Sequence, residues 1–555
     1  MFIKHFSEYV LAYRQKYAFV FFLMLLESGV SLAIPYFIGQ FSSVVLDKPT
    51  IFGISQTSIV AIWIGLILLQ ALVRYQCSFR VNMIGANILS LLSCRLYDHV
   101  QMLPLSYFSR RKKGEILSLI SNDVNVVAYF LSGILSSLVP SVLIALGALV
   151  LMASINIYLA SLIAVTVPIF FIMLKLLSRR VRPISEMATK QQAHLVAQAA
   201  ENFSTIQLLK SFGREKIESD KFKHSTKQML SLRKNQFHLQ ALLSPVIQMI
   251  ISMGIVFIIL ASIAHYRSGD LSIPDLITLL MYGLLFAKPM SNLAASYGQY
   301  QQADGASTRI IDVFAIAPEA TNDLGKILNF KHGDIKLSSL SFKHEQSIPL
   351  LHNVNAEFKG KSVSVIIGDN GAGKTTLLHL LMRFIQPQSG NIFIDGQDIQ
   401  HCNLASLRSH IALVSQDVAL CHGSVYENIA YGRPQTSKEE AIDAAKRAGA
   451  DRFITALENA YETQVGDNGV LLSAGQRQKV SLARALLLES KIIIFDEPTS
   501  YADSQGRAEF FDLLQTQLFE HTVIVVTHDH SLTEAADAVY QIKDNQLKKL
   551  AYAEQ

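Results

Sequence analysis

Charged side chains are scarce in this sequence. Asp, Glu, Lys and Arg make up 17% of the 555 residues, whereas soluble globular proteins carry about 25%. Hydrophobic residues reach 50%, and the long uncharged runs lie in the first 300 residues. The composition excludes an ordinary soluble globular protein and favours a membrane protein. The length exceeds one ordinary domain, so we expect at least two.

Other class-defining features are also missing. The net charge of +5 is small for this length and the basic residues form no single block, so no nucleic-acid partner is expected. Four cysteines form neither a C-x-x-C pair nor a dense framework, and we interpret them as reduced thiols. The N-terminal run MFIKHFSEYVLAYRQKY has no small-residue cleavage site after a short apolar core. We therefore expect no removable signal peptide and a first apolar segment that stays in the membrane.

Six stretches are long and apolar enough to span a hydrocarbon core, which takes about 20 residues of helix. They lie near residues 17–41, 57–77, 130–153, 157–178, 240–264 and 273–295. Two long connections, after the second and the fourth stretch, are too polar to span. Their apolar positions have helical spacing, which predicts helices that continue far beyond the membrane.

The distribution of Lys and Arg predicts the orientation. The segment 79–128 contains six of these residues and the segment 175–240 contains thirteen, while the opposite loops offer only Lys48 and Arg267. Because positive loops stay on the cytoplasmic side, both long connections and both termini are expected in the cytosol. With no transit peptide, a bacterial plasma (inner) membrane is the simplest location for this multi-pass chain.

The pattern changes after the sixth stretch. A cluster of Pro, Asn and Gly marks a linker over residues 318–333, which separates a transmembrane domain over 1–317 from a second domain over 334–555. In the second domain short β-rich runs alternate with helices. We predict buried parallel strands between helices at IKLSSLSF, SVSVIIG, NIFIDG, IALVSQ, KIIIFDEP and HTVIVVTHD.

A glycine-rich loop carries the strongest chemical signal. The pattern G-x-x-x-x-G-K-T follows an apolar strand and opens a helix, which is the context of a phosphate-binding loop. Its backbone N–H groups can surround an anion at the helix N-terminus, Lys374 can reach the β- and γ-phosphates, and the Thr375 hydroxyl can bind Mg²⁺. The predicted nucleotide-binding residues here are Gly368, Asp369, Asn370, Gly371, Ala372, Gly373, Lys374, Thr375 and Thr376.

Two adjacent carboxylates follow the hydrophobic run Ile-Ile-Ile-Phe495. Because side chains alternate along a strand, Asp496 and Glu497 cannot both point at one metal. We predict that Asp496 is a Mg²⁺ ligand and that Glu497 orients or deprotonates the attacking water, since phosphoryl transfer depends on positioning and charge neutralisation.

Between these two motifs the sequence Leu472-Ser-Ala-Gly-Gln476 resembles the LSGGQ signature of the ABC ATPases. Three further positions are similar to family motifs in the expected order: Gln416 in VSQD to the Q-loop, Asp503 to the end of the D-loop, and His528 in VVTHD to the switch histidine. The resemblance implies that Glu497, His528 and Gln416 are catalytic and that Thr375, Gln416 and Asp496 surround Mg²⁺. It also implies that ATP contacts Ser473, Gly475, Gln476 and Asp503.

The resemblance implies a dimer. In ABC ATPases two nucleotide domains pair head to tail, so that the signature residues of one chain face the ATP held by Lys374 of the other. A chain with one set of motifs must therefore form a homodimer or a heterodimer with a second half-transporter.

The first domain resembles ABC exporters as well. LPLSYFSRRKKGEILSLISNDV is similar to their first cytoplasmic loop, QLLKSFGRE to the second, and RSGDLSIPDL to the entry of the sixth helix. The arrangement resembles bacterial multidrug and lipid A exporters. It implies a six-helix membrane domain of the type I exporter fold followed by an α/β P-loop ATPase domain. The implied activity is ATP-driven export or flipping of a small amphipathic drug, lipid or peptide among membrane lipids.

Some residues depart from the family pattern. His344 stands where exporters have an adenine-stacking tyrosine, Ala474 replaces a signature glycine, and Tyr501 replaces a small D-loop residue. None removes a catalytic group, so hydrolysis is expected to survive, and His344 is expected to stack on the base. An ATP-gated channel or regulatory protein that borrows this architecture without pumping stays open as the alternative.

Glu27 and Lys288 are two of the charged residues that lie inside predicted spans. A lone charge in the membrane costs a few kcal/mol and usually has a reason. Glu27 in the first span can serve substrate or protons, or it can be neutral or paired with another helix. Lys288 in the sixth span can be that partner, can line a cavity for anionic cargo, or can extend its ammonium towards the membrane surface.

Overall fold

The computed structural model divides the chain into two compact units. The first comprises residues 1–101 and 114–316, and the second comprises 102–113 and 317–555. The structure describes residues 8, 11–45, 56–111, 113–267, 271–319, 325–343, 349–466, 471–500 and 504–550.

The first unit is helical, and its helices are longer than the hydrophobic stretches. In chain order the helices are α1 (Arg14–Val45), α2 (Gln56–Gln101), α3 (Leu105–Arg110), α4 (Lys113–Ser118), α5 (Val124–Ile155), α6 (Ile157–Ser204), α7 (Ile206–Ser211), α8 (Glu215–Arg267) and α9 (Ile273–Phe314). Of these, α3 belongs to the second unit. Six of the helices in the described part of the chain have 32 to 53 residues, so the polar connections continue the helices as expected.

Within the described residues, four helical segments are long and apolar enough to cross a membrane: Arg14–Ser42, Thr57–Gln101, Gly114–Ile155 and Ile273–Phe314. The apolar parts of the other two long helices are shorter, at Ile157–Ile169 and Gln248–Ala261. Each predicted span therefore lies in its own long helix, and the number of six crossings stays a prediction.

A polar contact joins α5 and α9 near their polar ends. A π-helical turn, Leu119–Asp123, precedes α5. Its last residue, Asp123, is buried, with 3% of its surface exposed. The Arg309 guanidinium on α9 donates to both Asp123 carboxylate oxygens, each over 2.7 Å. This bidentate pair satisfies a buried carboxylate and fixes α9 against the start of α5.

The second unit contains two sheets. Its strands are β1 (Ile335–Phe342), β2 (Leu351–Phe358), β3 (Val363–Gly368), β4 (Ser389–Ile394), β5 (Gln397–Asp398), β6 (Ile411–Val414), β7 (Ile492–Asp496), β8 (Thr522–Thr527), β9 (Ala538–Lys543) and β10 (Gln546–Lys549). The six-stranded sheet has the order β10-β9-β3-β8-β7-β6 and is parallel except for β10. The other sheet, β2-β1-β4-β5, is antiparallel.

The helices of this unit follow the strands as expected of an α/β domain. They are α10 (Lys374–Leu381), α11 (Leu404–Ser409), α12 (Val425–Ile429), α13 (Lys438–Arg447), α14 (Asp451–Thr455), α15 (Ala474–Leu487) and α16 (Ser504–Thr516). Strands β3, β7 and β8 are buried almost throughout, and the side chains on their two faces belong to two separate hydrophobic cores. The predicted fold class, a helical membrane domain followed by a P-loop α/β domain, is confirmed.

The prediction that all six β-rich runs are parallel was wrong for two of them. IKLSSLSF forms β1 and NIFIDG contributes to β4, and both lie in the antiparallel sheet. The burial of β1 largely alternates, with Ile335 and Leu337 inside and Lys336 outside. Such alternation is typical of a sheet with one face on the core, and it was present in the sequence.

The structure describes residues 318–319 and 325–333 of the predicted linker, and the second of these stretches packs on the rest of the second unit. Leu328 is 3% exposed, and the Phe330 ring stacks on His410 with centroids 5.4 Å apart. Asp395 then accepts hydrogen bonds from the backbone N–H groups of all four residues 331–334, over 2.7 to 3.2 Å. The end of the linker is thus held by one carboxylate.

This carboxylate gives a pH prediction. Burial alone would raise the pKa of Asp395, but the four backbone donors outweigh burial and hold the pKa below the ordinary 3.8. A lowered pKa stabilises the fold above 3.8, and the contribution is lost as pH falls through the folded-state pKa. Asp395→Asn is therefore expected to lower the thermal midpoint of the full chain at neutral pH, and the difference from wild type should shrink below pH 3.8. Equal midpoints at neutral pH would contradict this role.

Candidate nucleotide-binding site

The topology of the parallel sheet brings the predicted site together. Neighbouring strands run β3-β8-β7-β6, and all four are parallel. Their carboxyl ends therefore meet at one edge, where ligands bind in open α/β sheets. The glycine-rich loop follows β3, His528 follows β8, Asp496 and Glu497 lie at the end of β7, and Gln416 follows β6.

The loop from Gly368 to Gly373 has the backbone of a phosphate cradle. Gly371 and Gly373 have φ of +84° and +99°, in a region of backbone conformation that residues other than glycine rarely adopt. Gly373 caps α10 at its N-terminus. The loop residues Asp369 to Gly371 are exposed, so the backbone donors of this turn are open to an anion.

Lys374 is held at the mouth of this loop. It is 7% exposed, and its Nζ donates to the Gly368 carbonyl over 2.7 Å. The same Nζ lies 3.5 Å from Glu497 Oε1. A buried ammonium on carbonyl and carboxylate oxygens can exchange these partners for phosphate oxygens.

Two of the three predicted metal ligands are in contact. The Thr375 hydroxyl donates to Asp496 Oδ2 over 3.1 Å. Burial raises the pKa of Asp496, and the neighbouring Glu497 charge adds to the rise, against the opposing hydrogen bond from Thr375. Gln416 is exposed two residues after β6. The structure does not bring Gln416 into a described contact with Thr375 or Asp496, so its place at the metal stays a prediction.

Glu497 is the most constrained residue of the site. Its φ is +53°, which is rare for a residue other than glycine and is a form of strain that clusters at functional sites. Its Oε2 lies 2.8 Å from His528 Nδ1 and also receives bonds from Ser500 and Thr527. Burial raises the pKa of Glu497, but His528 and Lys374 outweigh burial and lower the pKa below 4.5. The group is therefore a carboxylate at neutral pH, as a base or water-orienting group must be.

The signature residues form the start of α15. The Ser473 hydroxyl accepts from the Gln476 N–H, and the Gln476 side chain accepts from the Ser473 N–H, which completes a capping box. A Cβ placed on Gly475 would meet no atom within 4 Å. In the described part of the chain these three residues make no hydrogen bond or ion pair with the glycine-rich loop, so one chain alone does not bring the two motifs together.

Two predicted ATP contacts, His344 and Asp503, lie outside the described residues, as does Tyr501. Their roles stay predictions.

Sequence reasoning missed two residues that support Glu497. The Gln478 side chain donates to the Pro498 carbonyl over 2.7 Å and ties α15 to the segment after Glu497. The Thr527 hydroxyl lies 3.4 Å from Glu497 Oε2 and accepts from the Asp529 N–H. Gln478 lies two residues after the signature Leu472-Ser-Ala-Gly-Gln476 and Thr527 lies within VVTHD, and this closeness to the motifs was the available signal.

The site and the fold define a class of protein in which a helical membrane domain is followed by a P-loop ATPase domain in the same chain. Residues 17–290 match the model of the ABC transporter transmembrane region, and residues 351–500 match the ABC transporter model of the ATPase domain. The chain belongs to the ABC transporter family, and it is an ATPase coupled to transport in the exporter arrangement.

Relatives agree in both halves. The chain is 31% identical to an ATP-dependent lipid A-core flippase of Legionella pneumophila (strain Paris), over 87% of this chain and 82% of that protein. It is 30% identical to a fatty acid ABC transporter ATP-binding/permease protein of Mycobacterium tuberculosis (strain CDC 1551 / Oshkosh), over 88% and 77%. A solved bacterial Atm1-family ABC exporter with ATP bound superimposes with a TM-score of 0.89 at 22% identity, covering 98% of this chain and 96% of that one, which shows the shared fold.

Proposed function

We propose that this chain is one half of a dimeric pump that uses ATP hydrolysis to export or flip an amphipathic molecule across the inner membrane of a bacterium, with both termini in the cytosol. The observation that carries the proposal is the Glu497 carboxylate, which contacts Lys374 and His528 beside a phosphate loop in a chain with long apolar helices. Two relatives handle a lipid A core and fatty acids by name, and both ligands are amphipathic.

The residues fit Mg²⁺ together with ATP. Magnesium is commonly held by one or two carboxylates, waters and substrate phosphates, so it needs no protein cage. No cage of three or more His, Cys, Asp or Glu side chains exists among the described residues. Thr375 and Asp496 would hold the ion, which would neutralise phosphate charge when bound. Lys374 would bind the terminal phosphates, and Glu497 would orient the attacking water while His528 holds its carboxylate in place.

The test is ATP hydrolysis by the purified full chain in lipid vesicles, with lipids, drugs and peptides added in turn. We expect the chain to hydrolyse ATP alone and one class of amphipathic compound to stimulate turnover severalfold, because cargo binding and hydrolysis are coupled. A chain that binds ATP but stays inert alone would contradict the homodimer and require a second half-transporter. Hydrolysis that no compound class alters would instead favour a role without pumping.

A further inference from the structure

The peptide that follows Glu497 is held by a side chain from another element. Pro498 is buried, and its carbonyl accepts a hydrogen bond from Gln478 Nε2 over 2.7 Å. Proline has no backbone N–H, so its carbonyl is the one backbone group through which Pro498 can be hydrogen-bonded. Gln478 therefore satisfies a buried backbone group next to the carboxylate that is predicted to act on water.

Glu497 needs this support because its backbone is strained. A φ of +53° is unfavourable for a residue other than glycine, and it persists only where the surrounding contacts over-determine it. On one side the Glu497 N–H donates to the Val526 carbonyl over 2.8 Å. On the other side the Ser500 N–H donates to the Glu497 carbonyl over 3.3 Å, and the next carbonyl is the one that Gln478 holds. Gln478 thus adds a contact from a different element, α15.

Helix α15 is a firm support for this side chain. The capping box between Ser473 and Gln476 fixes its first turn. Further along the helix, Val480 is fully buried and belongs to the same hydrophobic core as Phe495, the residue before the two carboxylates of β7. A side chain that projects from an element fixed in this way can hold a neighbouring loop in one position.

We propose that Gln478 is a positioning residue for ATP hydrolysis: its bond to the Pro498 carbonyl fixes the peptide that directs the Glu497 carboxylate towards the attacking water. The inference rests on the proposed function, in which Glu497 orients that water, and it names a residue that holds Glu497 in place. Gln478 acts through the backbone and not on ATP. The rate of the reaction depends on this geometry, because a small displacement of an orienting group is costly.

Gln478→Leu nearly keeps the size of the side chain but removes the donor. The Pro498 carbonyl would then be buried without a partner, so we expect its peptide to turn and to carry Glu497 out of position. The expected result is a kcat about tenfold lower, within the range of one lost hydrogen bond. KM and ATP affinity should stay unchanged, because the contact matters only in the transition state. Gln478→Lys can still donate to the carbonyl and should keep more than about half of the wild-type kcat.

The matched control is Lys479→Met, at the next position of the same helix. Lys479 also joins α15 to a neighbouring helix, through an exposed ion pair with Glu509 on α16 over 2.8 Å. Exposed pairs contribute little to stability, so this variant should hydrolyse ATP like wild type. Equal losses of kcat in Lys479→Met and Gln478→Leu would show that any loosening of α15 slows the reaction, and the proposal would be wrong.

The experiment measures phosphate release by the full chain in lipid vesicles over a series of ATP concentrations, together with equilibrium binding of ATP. The proposal is overturned if Gln478→Leu keeps the wild-type kcat, if KM changes in place of kcat, or if Gln478→Lys is as slow as Gln478→Leu. Gln478→Glu also lacks the donor at nearly the same size, and it repeats the test if Gln478→Leu does not fold.

Glu497→Gln in the same assay separates this inference from the proposed function. If Glu497→Gln hydrolyses ATP at the wild-type rate, the proposed role of Glu497 fails. If Glu497→Gln is slow while Gln478→Leu matches wild type, the role of Glu497 stands and only the role of Gln478 is removed.

Discussion

Glu497→Gln is expected to lower the rate of ATP hydrolysis by about 100- to 10,000-fold, the usual contribution of a positioned base. Glutamine has nearly the same shape, but it cannot accept a proton from water, and the charge that faces Lys374 and His528 is lost. ATP binding should persist, because the glycine-rich loop, Lys374 and Thr375 are unchanged. The measurement is phosphate release alongside equilibrium binding of ATP in the same preparation.

The matched control is Glu520→Gln, an exposed glutamate in the turn before β8. It should hydrolyse ATP like wild type. If Glu497→Gln retains more than about a tenth of the wild-type rate, Glu497 is not the main water-orienting group, since a base contributes at least a hundredfold. Loss of ATP binding in Glu497→Gln would point instead to a structural role for the pair with Lys374.

Much of this site could be predicted because it depends on local sequence. One motif is a glycine-rich loop between a strand and a helix, and the other is a pair of carboxylates at the end of a buried strand. In both, the role of a residue follows from the few positions around it. The parallel sheet then brings the carboxyl ends of β3, β7 and β8 to one edge. The φ of Glu497 could not be predicted, because its αL backbone is maintained by contacts from β8, such as the bond from its N–H to the Val526 carbonyl.

Much less of the helical unit could be predicted from the sequence. Long apolar runs predict helices, but they carry no information about which residues face each other across helices. Asp123 and Arg309 are 186 positions apart, and nothing in either segment predicts their bidentate pair. Glu27 and Lys288 could be singled out as unusual in a membrane. Their two helices are joined by the hydrogen bond from the Tyr282 hydroxyl to the Leu32 carbonyl, and no sequence pattern predicts it.

Gly475→Asp is expected to lower ATP hydrolysis by about 100-fold or more while leaving the fold and ATP binding by the same chain intact. The position has open space around it, and Ser473 caps the helix, so the introduced carboxylate would stand in the first turn of α15. An acidic side chain there favours the helix dipole and should not destabilise the chain. In the head-to-tail dimer it would face the phosphates held by the other chain, where like charges cost several kcal/mol. Hydrolysis and ATP binding are measured separately.

A dominant-negative experiment decides whether the ATP site is shared between two chains. A chain with both Lys374→Ala and Gly475→Asp contributes neither half of a site, so a mixed dimer with wild type has no active site. Co-expression in equal amounts should leave about a quarter of the all-wild-type activity, since a quarter of randomly paired dimers are wild type on both sides. The control mixes the same two chains after separate purification, where pairing is already fixed and half the activity should remain. If co-expression also leaves half, each chain completes its own site, and the head-to-tail dimer is wrong.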